Sequence, residues 1–364
     1  MKAAVFTGSE ELGNLTKVVD IARPQISAGQ ILVKSVAFAA NPVDWKIHVR
    51  GLGGGENYIT GSDVSGVVEE VGSEVSGFEK GDFISSMLRG SSVKDRGAFS
   101  EYVVTYPETS IKYNKESFDQ EPLPAGKTPS NNINSFESAA SVTLGLGTAI
   151  TALHHVLQIR PDKDQGKSIL IWGGATATGI IAIQIAKRVY GMKVITTASS
   201  KHHAFLKSLG ADLAFDYHDK NIINNLSQID IPFAFDTVCT KQTWQSVYDS
   251  TAKSLEPVIT NILFLKDSDL QLDNSRTVRI ISSSVYLLMN GIEQGNVPHI
   301  GYTASPEMVK DFKEFWNNIL PGFLPHLKHA DLKVLGPGLE SVNEALDLLR
   351  ENKVSGEKLV FRFK

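Results

Sequence analysis

The sequence predicts an α/β protein: a doubly wound parallel-sheet domain set inside a β-rich module that both ends of the chain supply. Three observations carry that expectation. Residues 2–105 hold short valine-rich runs punctuated by glycine, the pattern of consecutive strands. Residues 137–265 switch to strand-length apolar runs alternating with helical ones. After two amphipathic helical stretches, residues 358–363 (KLVFRF) return to the alternation of an edge strand.

In the first part, residues 2–7 and 30–38 read as strands, with a turn from Pro24 to Gln30 between neighbouring segments. Residues 41–46 (NPVDWK) form a proline-marked bend carrying polar and aromatic groups, followed by a glycine-rich loop at 51–55. In residues 61–82 (GSDVSGVVEEVGSEVSGFEKGD), Val64, Val67, Val68 and Val71 are strand material. Gly66, Gly72, Gly77 and Gly81 separate them into short strands. Residues 97–105 add another strand, and 114–135, with Pro122, Pro124 and Pro129, read as a surface connection. A helical pattern begins at Glu137 and leads into a strand at 168. Strands at 193–197, 213–215, 233–238 and 258–265 then alternate with helices at 201–209 and 244–254, and further helices fall at 308–320 and 342–351.

Residues 168–191 (SILIWGGATATGIIAIQIAKRVYG) organise the middle of the chain. An apolar strand runs into a turn holding Gly173, Gly174 and Gly179 among small residues, and a helix bearing Ile180, Ile181, Ile183, Ile185 and Ala186 follows. Glycine lets the backbone bend sharply and a ligand approach closely. The start of the helix offers unpaired N–H groups and partial positive charge, a seat for a pyrophosphate. The spacing departs from strict G-x-G-x-x-G, a form that a tight turn in another α/β protein shares. NAD-selective sites of this kind usually carry an acid about 20 residues beyond the glycines. Here the second strand ends in TASSKH at 197–202, and no Asp or Glu stands between Asp164 and Asp212. Ser199, Ser200 and Lys201 would meet a 2′-phosphate with hydroxyls and a cation, which favours NADP(H) over NAD(H). The alternative is that the serines cap the next helix and Lys201 is solvated.

At 364 residues, 42% hydrophobic and 21% charged, the chain has the length and composition for two domains with cores of their own. A net charge of −4 gives no basic footprint for nucleic acid. The single cysteine, Cys239, permits neither an intramolecular disulfide nor a thiolate cluster for a metal. None of the nine histidines stands at a metal-ligand spacing; His154 and His155 are neighbours on a helix and point apart. The apolar run at the N-terminus is too short for a signal peptide, and no later segment approaches a membrane span, so a cytoplasmic protein with no membrane partner is expected.

Seven segments in order resemble one family: NPVDWK at 41–46, GSDVSGVVEEVG at 61–72, GAFSEYV at 97–103, GTAITAL at 147–153, WGGATATG at 172–179, LGADLAFDYHD at 209–219 and KVSGEKLVF at 353–361. The family is that of the zinc-independent, quinone-reductase-like medium-chain dehydrogenases/reductases. Within it the chain is most similar to the fungal branch that includes yeast NADPH-dependent aldehyde reductases and trans-acting enoyl reductases. The resemblance implies a GroES-like catalytic domain from residues 1–143 and 302–364, a Rossmann NADP-binding domain at 144–301, and a cofactor cleft between them. It implies cofactor contacts at Gly174, Ala175, Thr176, Ala177, Thr178 and Gly179, at Ser199, Ser200, Lys201 and His202, and at Asp44, Tyr217, Phe264, Leu265, Ser355 and Gly356. Zinc-dependent members hold their metal with cysteine and histidine, whereas this chain has Ser62 and Asp63 where a ligand histidine would lie.

Hydride transfer to a carbonyl, or to the β-carbon of an enone, builds negative charge on oxygen, and without a Lewis acid that charge needs a donor or a proton. Lys46 is the local candidate, with Asn41 and Tyr58 beside it. Asp44 either orders the loop and touches the cofactor or caps a short helix. Lys46 would otherwise be solvated and Trp45 a core anchor. Residues 144–150 and 282–291 would line the substrate pocket if the family arrangement holds. The expected activity is NADPH-dependent, zinc-independent reduction of aldehydes or activated carbonyl compounds by a monomer or homodimer. The alternatives are an enoyl (C=C) or quinone reductase and an NADPH-binding regulatory protein without turnover.

Overall fold

In the computed structural model, which describes residues 1–293 and 304–364, the two periodicities of the sequence become two large sheets in two units. The first unit gathers Met1–Leu144, Tyr286–Ser305 and His329–Lys364. Its eight-stranded sheet runs Ser110–Tyr113, Phe83–Met87, Asp63–Val71, Ile31–Ala39, Glu357–Arg362, Asp331–Val334 and Gly126–Thr128, with Tyr102–Thr105 also paired to Ile31–Ala39. All pairs are antiparallel except Asp331–Val334 with Glu357–Arg362. Lys2–Phe6 and Thr16–Asp20 make a separate two-stranded ribbon. The core lies where three rings from distant segments meet: Phe361 is 5.3 Å from Phe38 and 5.4 Å from Phe99, centroid to centroid.

Three expectations change here. Residues 358–363 do not form an edge strand: Glu357–Arg362 is flanked on both sides, and its consecutive buried Leu359, Val360 and Phe361 suit a strand covered on both faces. Residues 61–82 do not break at Gly66, because Asp63–Val71 is one strand. A Cβ on Gly66 would lie 2.1 Å from the Lys34 carbonyl oxygen, so glycine serves close strand approach there rather than a turn. The connection at 114–135 contributes a sheet strand of its own, Gly126–Thr128, paired to Asp331–Val334.

The second unit gathers Gly145–Val285 and Pro306–Lys328. Its six strands are parallel and lie in the order Leu213–Phe215, Lys193–Thr197, Ser168–Trp172, Phe233–Asp236, Val258–Asn261, Arg279–Ser282. Numbered along this unit that is 3-2-1-4-5-6, the order of the Rossmann fold. Helices Ala177–Arg188, His203–Leu209 and Lys241–Ser250 connect strands, and Trp244, Val247 and Tyr248 bury one face of the last against Leu170, Ile195 and Ile259. The sixth strand escaped the sequence pattern because it opens on an exposed Arg279 and its other residues are half-buried.

Residues 306–328, grouped by sequence with the β-rich module, cluster instead with the middle of the chain. Phe312, Phe315 and Trp316 are buried there, and Gln184 bridges both backbone groups of Lys328 at 2.9 Å. The junction drawn between 301 and 302 lies outside the described residues. Two stretches, Thr151–Val156 and Phe315–Ile319, are wound as π-helix. Burial draws the His154 imidazole down to about 4, so it packs neutral. Contrary to the sequence reading, the helical stretch Phe136–Val156 is long and apolar enough to cross a membrane; its apolar window is entirely buried in the protein, as for a core helix.

Candidate functional site

The glycine turn of the second unit docks on the end of the neighbouring strand. Gly173 has φ +84°, its N–H donates to Thr197 Oγ1 at 3.1 Å, and the N–H of Gly174 donates to the Thr197 carbonyl at 2.9 Å. A Cβ on Gly174 would fall 2.0 Å from Thr196 Oγ1, and one on Gly179 2.4 Å from the Gly173 carbonyl, so larger residues would force the turn open. Thr176 caps the helix Ala177–Arg188: its Oγ1 accepts from Gly179 N–H at 2.9 Å and donates to Thr237 Oγ1 at 2.9 Å. The N–H groups of Ala177 and Thr178, in the first turn, have no intrahelical acceptor, and residues 175–178 are half-exposed. They fit an oxyanion such as the pyrophosphate of a dinucleotide.

Beyond the second strand, Ser199 Oγ lies 3.0 Å from Tyr217 OH, and Tyr217 is 47% exposed with its ring 4.2 Å from that of His218. Lys201 is exposed and His202 half-buried in the 3-10 turn Ser200–His202. Ser199 precedes that turn and makes no side-chain capping bond. The loop is acid-free along the chain but not in space: Asp216, on the following strand's exit, accepts from Ser200 N–H at 3.1 Å and from His218 Nδ1 at 2.7 Å. The His218 hydrogen bonds, backbone then ring, hold its carboxyl down at about 2. Further on, Phe264 has φ +60° and is 43% exposed, while Leu265 packs against the core and its carbonyl accepts from Asn261 Nδ2 at 2.9 Å.

In the first unit, Asn41 precedes the helix Pro42–Val49, and its N–H donates to Asp44 Oδ2 at 2.8 Å, half of a capping box. Ser62 Oγ donates to Asp44 Oδ1 at 2.6 Å and sits 2.9 Å from Tyr286 OH. Asp63 receives Asn41 Nδ2 at 2.8 Å and the Leu144 N–H at 2.7 Å. Lys358 Nζ donates to Asn41 Oδ1 and lies 3.5 Å from Asp63 Oδ2. Asp44, Asp63 and Lys358 are all buried, so two carboxyl groups and one ammonium lie away from water, with the ammonium beside Asp63. Burial raises Asp44 to about 7, outweighing the bonds from Ser62 and Asn41, and burial also raises Asp63 against the pull of Lys358. Near neutral pH, then, Asp44 readily holds a proton while Asp63 pairs with Lys358. Tyr286 is pushed well above the usual phenol range by burial and by Asp44, so it stays a neutral hydroxyl.

Of the catalytic candidates, Asn41 belongs to this network, Lys46 is half-buried with Nζ 5.7 Å over the Trp45 ring, and Tyr58 packs on Gly54, where a Cβ would lie 1.9 Å from Tyr58 Cε1. Ser355 and Gly356, the latter at φ +72°, form the turn into the strand Glu357–Arg362. Sequence reasoning missed Lys358, Asp216 and the role of Tyr286. A lysine beginning a buried apolar run was the one visible signal for Lys358, since burying an ammonium demands a partner. It also missed Arg89, buried with its guanidinium 5.7 Å over the Tyr286 ring.

Comparisons with known proteins bear on both units. A family model described as the alcohol dehydrogenase GroES-like domain matches residues 27–115, and one described as zinc-binding dehydrogenase matches residues 177–291. The uncharacterized protein YNL134C of Saccharomyces cerevisiae is 34% identical over 99% of this chain and 97% of its own length. Trans-enoyl reductase TOXD of Cochliobolus carbonum is 35% identical over 59% of this chain and 69% of its own. Among solved structures, Escherichia coli quinone oxidoreductase complexed with NADPH superposes with a TM-score of 0.68 at 18% identity, covering 99% of this chain and all of that one.

Proposed function

This chain belongs to the medium-chain dehydrogenase/reductase family, in its fungal branch, and from that premise we propose that it is an NADPH-dependent reductase of aldehydes or other activated carbonyl compounds that works without a catalytic zinc. The observation that carries this reading is the glycine turn hydrogen-bonded to Thr197, two residues before the Ser199–Lys201 hydroxyls and cation. The first N–H groups of the helix Ala177–Arg188 would hold the pyrophosphate, and Ser199, Ser200 and Lys201 the 2′-phosphate. Asp216 occupies the Ser200 N–H, which leaves side chains rather than that backbone group for the phosphate. Tyr217 would cover the adenine, and Phe264 and Leu265 would approach the nicotinamide half. When bound, NADPH supplies the hydride.

The chain's own residues supply orientation and a proton. Ser62 Oγ stands between Asp44 Oδ1 and Tyr286 OH, so a proton given up at Tyr286 OH can be replaced through Ser62 Oγ from Asp44. Lys46 and Tyr58 are further donors, and Asn41 fixes the loop that carries Asp44. The network offers a zinc two carboxylates, Asp44 and Asp63, already bonded to Ser62, Asn41 and Lys358, and no imidazole or thiolate among its members, which supports the zinc-independent reading.

Lys201→Ala is expected to raise the Michaelis constant for NADPH at least tenfold and leave that for NADH little changed; an equal effect on both would remove Lys201 from 2′-phosphate recognition. A second reading, hydride delivery to the β-carbon of an enone, is favoured by the similarity to a protein named as a trans-enoyl reductase. Cinnamaldehyde with NADPH separates the two. The unsaturated alcohol is expected from carbonyl reduction, and the saturated aldehyde would establish C=C reduction in its place.

A further inference from the structure

The π-helical stretch Thr151–Val156 and the helix Pro306–Glu314 of the second unit bring together side chains that the nucleotide turn does not use. One nitrogen of His154 and one carboxylate oxygen each of Asp311 and Glu314 lie within 4.8 Å of one another. His154 is 1% exposed; its Nδ1 is 2.9 Å from Tyr190 OH, and its Nε2 is buried with no hydrogen-bond partner. A buried ring nitrogen without a partner, on a ring that comes within 4.8 Å of two carboxylates through one of its nitrogens, is a costly arrangement if it serves packing alone. π-Turns are rare in helices and occur often at functional positions.

We propose that His154 Nε2, Asp311 and Glu314 form a binding site for a divalent transition ion of the zinc type, apart from the nucleotide site and from the Asp44–Asp63–Lys358 network. One imidazole with two carboxylates is a donor set that zinc takes with a water in the fourth position. Tyr190 at Nδ1 fixes the ring as an outer partner does for a ligating histidine. Zinc bonds of about 2.0–2.2 Å place ligand atoms roughly 3.3 Å apart. The exposed Glu314 can supply the necessary closure by rotation. Asp311 is already held by His155 Nδ1 at 2.7 Å and by Arg160 at 3.4 Å. An arriving dication displaces Arg160 from Asp311, and that guanidinium keeps its bond to the His154 carbonyl at 2.5 Å. Because a cation must give way, micromolar rather than nanomolar affinity is expected. The ion would join Thr151–Val156 to Pro306–Glu314, so binding would appear as added stability of this unit.

Titrating the full-length chain, stripped with chelator, with Zn²⁺ in a calorimeter and with Co²⁺ by visible absorption tests the site. The expected result is one ion per chain, a rise in melting temperature on adding Zn²⁺, and at least tenfold weaker binding in both Glu314→Gln and His154→Ala. Glu314 is exposed, so its variant should melt like the wild type without metal and decide the matter even if His154→Ala fails to fold. No saturable binding by the wild type, or equal binding by Glu314→Gln, would overturn the proposal.

Discussion

Lys358→Met is expected to destabilise the protein by about 3–5 kcal/mol, the usual consequence of removing one partner from a buried ion pair. The Lys358 side chain is 5% exposed and that of Asp63 0%, so no water can take over the role of the ammonium. Methionine fills nearly the same volume, so the loss would come from charge and hydrogen bonding rather than from a cavity. Asp63 and the Asn41 amide oxygen would both lose a donor. Adding Asp63→Asn to the same chain should restore much of the stability, because the stranded carboxylate goes with it. Urea unfolding at pH 7 measures both; a loss below about 1 kcal/mol for the single variant would show that the pair does not hold the sheet together.

The second large effect is a stability that falls as pH rises. Asp44 has a folded value of about 7 against 3.8 for an ordinary aspartate, with burial the main cause. The folded state therefore keeps a proton that the unfolded chain releases, so this contribution is complete below pH 4 and is lost as pH climbs through 7. The full difference is worth roughly 4 kcal/mol. Asp44→Asn imitates the protonated acid: the new amide can accept from the Asn41 N–H and donate to Ser62 Oγ, which passes its own proton to Tyr286 OH. The variant should match the wild type below about pH 4, exceed it by roughly 1.5 kcal/mol near pH 5 and by up to roughly 4 kcal/mol near pH 8.5, and show a flatter profile. Parallel pH profiles for the two proteins would refute a protonated Asp44. Asp63 and Asp236, which burial also raises, contribute to any fall with rising pH that survives in the variant.

The fold was legible where local pattern and tertiary role agree. The alternation of strands and helices from residue 168 onward predicted a doubly wound sheet, and the structure has one, in the order 3-2-1-4-5-6, whose sixth strand the pattern missed. The sequence misled where a neighbour distant along the chain sets the environment. Gly66 reads as a turn until Lys34 is laid across it, and residues 358–363 read as an edge until Asp331–Val334 covers them. The same is true of the sites. Ala175–Gly179 and Ser199–His202 are contiguous and visible, whereas Asp216 reaches Ser200 from another strand, and the buried network draws on residues 41, 44, 62, 63, 286 and 358. Adjacent helical histidines predict divergence, yet within a π-turn His155 bonds Asp311 while His154 lies within reach of the same acid.

The strand Glu357–Arg362 also sets an order of events during synthesis. Val360 and Phe361 pair with Ala39 and Phe38, so the Ala37–Ala39 end of one flank of Ile31–Ala39, beyond the part Tyr102–Thr105 takes, stays open until more than three hundred further residues have been made. The six strands of the second unit all lie between Ser168 and Ser282, and that sheet can close while the first is still waiting. During that interval the apolar strand end Ala37–Ala39 has unpaired backbone groups along one flank, and chaperones or a second nascent chain have their best opportunity to engage it.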